Sequence, residues 1–164
     1  METYYVLDDD FEAILKRAGC QQQQLLGMPL PLLNSFEFLR RTKAQTDSPL
    51  FKLLGADDFF DVEEKEQYAR AMQALADHTV ATIKTDASGN GTSTALPAGN
   101  YHVYGTAEDF VKTGARGTIT GNTVTLSDTG INAVTIWNLR TAIKPGTNIV
   151  TLTRDNAAFD PFAR

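Results

Sequence analysis

The chain changes its periodicity once, near His78, and that change constrains the fold more than any single motif. Before it, apolar residues recur at three- and four-residue spacing. After it, Thr, Val and Ile alternate in short runs separated by glycine-bearing turns. The two patterns put side chains at periods of 3.6 and 2, so neither can serve as the other. A helical part and a β part must therefore share 164 residues. That length makes one domain the default and buries enough surface for one core without staples.

In the helical part, Phe11, Ile14, Leu15 and Ala18 form one stripe, with Asp8 or Asp9 to cap its start and Gly19 to supply a left-handed stop. Leu32, Leu33, Phe36 and Leu39 form a second stripe. Ser48 and Pro49 open a short helix that Gly55 closes. Asp61 to Glu64 has the pattern of a capping box and opens a helix through Ala76, with Tyr68, Met72 and Leu75 inward. Beyond His78, strands are expected near 79–85, 91–96, 100–106, 116–120, 123–127, 132–138 and 147–153. Gly121-Asn122 between TIT and TVTL is a two-residue hairpin signal. Short strands with a turn every 8–12 residues indicate a sandwich rather than a parallel sheet.

The stretch Asp86-Ala87-Ser88-Gly89-Asn90-Gly91 opens like a calcium loop, but its twelfth place holds Pro97 where a bidentate Glu belongs, and strands flank it. As a turn it makes better sense. Asp86 can accept from backbone amides within the turn, and Gly89 and Gly91 can supply positive φ. Pro97 then sets φ for the next turn, Gly99 takes a position a Cβ would forbid, and Tyr101 starts a strand with its hydroxyl reaching a partner.

Thr85-Asp86, the Gly89 to Gly91 turn, Leu96-Pro97-Ala98-Gly99-Asn100-Tyr101 and the closing IKPGTNIVTL together resemble the carboxypeptidase regulatory-like domain. That family is a small prealbumin-like (transthyretin-like) β-sandwich common in exported bacterial proteins. The resemblance implies a non-catalytic module and an extracytoplasmic setting. It also implies that Thr3–Leu7 is a strand of the same β unit, with residues 8–78 inserted after it. The hydroxyisourate hydrolases share the prealbumin-like fold, but their terminal Tyr-Arg-Gly-Ser has no counterpart in Phe159 to Arg164, so their activity does not carry over.

Other chemistry is thinly represented. His78 and His102 are the only histidines and Cys20 the only cysteine, without zinc-ligand spacing. No Gly-x-Ser-x-Gly elbow or phosphate loop occurs, and Cys20 follows a helix end with nothing to activate it. The clusters Asp8-Asp9-Asp10, Asp57-Asp58 and Glu63-Glu64 lie at helix starts, where capping explains them. A net charge of −5 argues against nucleic acid. No apolar run approaches a membrane span, and no basic region precedes TYYVL as in a signal peptide.

Alternation puts Tyr101 with Val103 on one face, and His102 with Tyr104 on the other. Trp137 alternates against Val134 and Ile136. Either the helices cover the Trp137 face, in a core layer with Phe36, Phe59 and Phe60, or Trp137, Tyr104 and His102 form a platform for carbohydrate or another small ligand. Aromatic dominance of cores favours the first.

The expectation is thus an α+β chain: a prealbumin-like (Ig-like) antiparallel β-sandwich with a helical insertion packed on it. It is one domain, with the first strand at 3–7, the insertion at 8–78, the sandwich at 79–156 and a tail at 157–164. No cofactor, metal or catalytic residue is expected. The expected partner is another protein or a neighbouring domain, met through an open strand edge or the helical face.

Overall fold

In the computed structural model, backbone is described for residues 2–53, 61–120 and 123–162, and side chains for these residues outside 110–132. The alternating run Thr3–Leu7 forms strand β1, and a mainly helical segment follows it. Helix α1 (Phe11–Arg17) is capped by Asp10, whose side chain accepts from the Ala13 amide at 2.9 Å. Neither Asp8 nor Asp9 is the cap. Asp9 accepts from the Asp10 amide and from Arg17, while Asp8 turns toward His78. Gly19 stops the helix at φ 74, as expected.

A two-stranded hairpin follows, β2 (Gln24–Leu25) and β3 (Met28–Pro29), turning on Leu26 and Gly27 at positive φ. Helix α2 (Leu32–Thr46) buries Leu32, Leu33, Phe36 and Leu39, the expected stripe. Helix α3 (Pro49–Leu53) has Ser48 before it, whose hydroxyl accepts from the Phe51 amide at 3.4 Å. Gly55, Asp57, Asp58, Phe59 and Phe60 lie outside the described residues.

Helix α4 (Val62–His78) opens with the Asp61–Glu64 capping box. Its buried line runs through Gln67, Ala71 and Leu75, not through Tyr68 and Met72, which are half-buried beside it. Gln67 faces inward because its amide clasps Gln21, accepting from the Gln21 amide at 3.2 Å and donating to its carbonyl at 3.0 Å. A polar residue thus occupies the helix's inner line, which hydrophobic periodicity alone cannot detect.

The chain then enters β4 (Thr79–Lys84) and a long hairpin, β5 (Gly99–Thr120) and β6 (Thr123–Ile143). These strands form one antiparallel sheet in the order β4-β1-β5-β6. β1 is therefore central, pairing Tyr5 with Thr82 on one side and with Tyr104 on the other. The helical segment between β1 and β4 begins and ends at neighbouring points. The Asp8 amide donates to the His78 carbonyl at 3.1 Å, and Asp8 Oδ1 meets His78 Nδ1 at 2.6 Å. Asp8→Ala keeps the backbone bond and loses the side-chain one. Because both side chains are substantially exposed, the expected loss is about 0.5–1 kcal/mol, measurable as a lower urea midpoint. A variant as stable as the parent would show that the side-chain pair does not help close the neck.

Several expected strands differ from those found. The runs at 100–106 and 116–120 are parts of one strand, and those at 123–127 and 132–138 are parts of its partner. Pairing continues through SDTG, with one irregularity between Lys112 and Gly114. Residues 91–96 and 147–153 carry no strand. In the second case the Lys144-Pro145-Gly146 turn is closed by a side chain. Asn148 accepts from the Lys144 amide and donates to the Lys144 and Gly146 carbonyls, which diverts the chain from a hairpin ladder. Among the described residues the architecture is α+β: one four-stranded antiparallel sheet, a small two-stranded hairpin and four helices.

The main core lies between the helices and one sheet face. Leu7, Phe11, Ile14, Leu15, Phe36 and Tyr104 lie in it, with Leu75 and Ile136 beside them. The Phe11 ring meets those of Tyr104 at 4.2 Å and Phe36 at 5.2 Å. Asn138 ties α1 to β6, accepting from the Phe11 amide at 3.3 Å and donating to Asp10 at 2.9 Å.

Candidate functional site

The structure separates the three residues of the alternative ligand platform. Tyr104 and His102 project from β5 toward the helices. Trp137 projects from β6 to the opposite face, where it meets the Tyr4 ring at 6.3 Å. It does not lie in a layer with Phe36. Its cover is the C-terminal segment, since its Nε1 donates to the Thr153 carbonyl at 2.8 Å, and Phe159 bridges Ile136 in both directions. Trp137 is 6% exposed and Tyr104 2%, so neither offers a ring face for stacking on a sugar. His102 Nε2 stands 3.9 Å from Asp10, and its buried Nδ1 has no hydrogen-bond partner.

The turn residues can be placed individually. Asp86 accepts from the Ser88 amide at 2.8 Å and the Asn90 amide at 3.0 Å, and Gly89 has φ 81. Gly91 is needed for a different reason than expected. It is not at positive φ; a Cβ there would stand 2.6 Å from Ile83 and 2.7 Å from the Lys84 carbonyl. At Gly99 a Cβ would make only ordinary contact with Tyr101, so no forbidden position is involved. The half-buried Tyr101 donates its hydroxyl to the Pro97 carbonyl at 3.0 Å, which pins the LPAGNY corner. Among the described residues, no group of three or more His, Cys, Asp or Glu could hold a metal.

The carboxylate clusters are engaged locally: Asp10 and Asp61 cap helices, while Asp8 and Asp9 pair with His78 and Arg17. Cys20 is half-buried, and burial pushes its thiol above the ordinary value, which disfavours the nucleophilic thiolate.

The most developed polar constellation was not anticipated as a site. Glu37 on α2 is 3% exposed. It receives Arg40 through two bonds of 2.8 and 2.7 Å, and Arg41 through Nε at 2.9 Å. Arg40 continues to Thr106 at 3.2 Å and Arg41 to Glu108 at 3.3 Å, linking α2 to β5. The bidentate bond to Glu37 holds Arg40 firmly charged. The i, i+3 and i, i+4 spacing of Glu37, Arg40 and Arg41 is a visible sequence signal. What it does not reveal is that the carboxylate is buried.

Tyr104 lies beside this cluster. Burial first, then the Glu37 charge, holds its phenol well above the ordinary value, so it stays protonated. Its buried Oη faces Glu37 without a close hydrogen bond, and an under-satisfied buried hydroxyl costs about 1–3 kcal/mol. Tyr104→Phe is therefore expected to fold normally and be as stable as the parent or more so, by up to about 1 kcal/mol. A clear loss in thermal unfolding would show that the hydroxyl is satisfied after all. Scanned against protein-family models, curated proteins and solved structures, the chain matches none of them.

Proposed function

We propose that the chain is a non-catalytic structural or protein-interaction module, and that the β5–β6 ribbon is the part that meets a partner. One observation carries this reading. Among the described residues, β5 pairs with β1 only at His102, Val103 and Tyr104, and from Gly105 to Thr120 it pairs with β6 alone. A two-stranded ribbon some 15 residues long extends roughly 50 Å along the strand. Such ribbons are marginal by themselves, and their outer backbone groups are open to another strand. Among the described residues, that outer edge of β6 is bridged only at Ile136, by Phe159. The exposed tip at Leu25, Leu26 and Met28 adds a second apolar contact point.

The resemblance to the carboxypeptidase regulatory-like domain supports an extracytoplasmic module beside neighbouring domains, and its turn chemistry agrees with the Asp86 and Tyr101 bonds. On this reading the sheet is one layer of a prealbumin-like sandwich. The 91–96 and 147–153 segments supply the second layer when a partner strand is present. Among the described residues no helix is long and apolar enough to cross a membrane.

The test joins Glu108 to Val134, which are paired in register, through an Asn-Gly turn. Sedimentation velocity and amide hydrogen exchange then compare this short form with the full chain. The short form should keep its core spectrum. The full chain should associate with rising concentration, and its ribbon amides should gain protection as it does. A full chain that stays monomeric with ribbon amides already protected would remove the reading.

A further inference from the structure

Ile136 and Trp137 on β6 are buried, whereas no residue of the 153–162 segment that lies against them is buried. The attachment of that segment is small. Phe159 exchanges two backbone bonds with Ile136, at 2.9 and 3.0 Å, and the Thr153 carbonyl accepts from Trp137 Nε1. Arg154 reaches Asp109 on β5 at 3.1 Å, but both side chains are more than half exposed, and such pairs add little. Its other bonds are local: Asn156 closes on Thr151 and Thr153, and Asp160 accepts from the Phe162 amide. The Arg154 guanidinium lies 4.5 Å from the centre of the Phe162 ring. The segment thus keeps a shape of its own and makes few bonds to the sheet.

Those few bonds are the kind an added strand makes. An exchanged pair of N–H···O bonds is one rung of an antiparallel ladder. An aromatic residue opposite a β-branched one, as Phe159 stands opposite Ile136, is a favourable cross-strand pair. The rung lies near the root of the ribbon, on the same outer edge of β6.

We infer that the 153–162 segment is an internal substitute for a partner's strand. It occupies a strand-addition site on β6, and an extended peptide with an aromatic residue opposite Ile136 and a backbone carbonyl for Trp137 Nε1 takes its place. The inference rests on the reading of the β6 edge as the surface that meets a partner. Strand addition draws affinity from main-chain bonds and selectivity from alternate side chains. A segment on a short tether competes at an effective concentration on the order of millimolar, so the site stays closed to weak strands until the segment leaves.

The probe is a synthetic peptide of residues 153–162, titrated into the full chain and into its Phe159→Pro variant, which lacks the amide that donates to Ile136. Trp137, the only tryptophan, reports by fluorescence, and backbone amide shifts locate the peptide. The variant should show red-shifted emission, and the peptide should reverse that shift and perturb amides around Ile136. The parent should bind the peptide about tenfold more weakly or worse, because its own segment holds the site. A peptide carrying Phe159→Ala should bind the variant several-fold more weakly. In the parent, the Ile136 amide should exchange with solvent roughly tenfold faster or more than that of Val103, which is paired on both sides. Equal peptide binding by parent and variant, no binding by the variant, or shifts away from Ile136 would each overturn the inference. An Ile136 amide that opens only with the whole fold would do so too, and that measurement needs no variant. Peptide binding at Ile136 in a chain that never self-associates would keep the strand-addition site and remove the ribbon reading. Association without opening at Ile136 would do the reverse.

Discussion

Phe11→Ala is expected to remove about 3–5 kcal/mol of stability, the largest effect of any single replacement considered. The ring is fully buried and touches two other aromatic rings, Phe36 from α2 and Tyr104 from β5. It thus joins three elements that are distant in sequence, and none of them can collapse into the space without leaving its other contacts. A domain with the usual 5–15 kcal/mol in total would be left close to its unfolding threshold. Phe11→Leu refills much of the volume and should cost clearly less. Urea unfolding of both variants checks the expectation. A loss below about 1 kcal/mol for the alanine variant would mean the aromatic cluster is not the centre of the core.

Gly105→Ala should produce the second large effect, about 1–3 kcal/mol. Gly105 pairs with Trp137 on one side. On the other, the Tyr4 ring lies across it, in the space a Cβ would take. An added methyl group must push that ring away, and the ring is in contact with Trp137. The tryptophan environment should therefore change along with stability, giving a fluorescence shift that simple surface replacement would not. Tyr4→Leu made together with Gly105→Ala should recover part of the loss, because neighbours competing for one space are not additive. Without recovery in the double variant, the strain lies elsewhere.

The helical half was the more legible in the sequence. The apolar stripes of α1 and α2, the Asp61–Glu64 box and the Gly19 stop are local features, and each appears where its residues imply. The placement of Thr3–Leu7 in the sheet also followed from alternation and from the resemblance. The β half was less legible because turn letters do not say whether pairing stops. SDTG resembles a turn yet continues a ladder, whereas TNIVTL resembles a strand yet has none after Asn148 folds the preceding turn. The face occupied by Trp137 was ambiguous for a related reason. Alternation fixes which residues share a face, but not which face the helices choose. The Glu37 constellation shows its spacing in the sequence and hides its burial, since burial depends on α2 lying over β5.

The position of β1 has a consequence in time. Of these elements it is synthesised first, yet both its neighbours, β4 and β5, arrive only after more than 70 further residues. The contacts of α1 and α2 can form locally while β1 waits. The central strand of the sheet can be completed only when distant chain closes on it from both sides, the kind of non-local pairing that slows folding. During that interval TYYVL is an unpaired, aromatic, strand-forming segment. Protection of the β1 amides should therefore appear late in refolding, after that of α1.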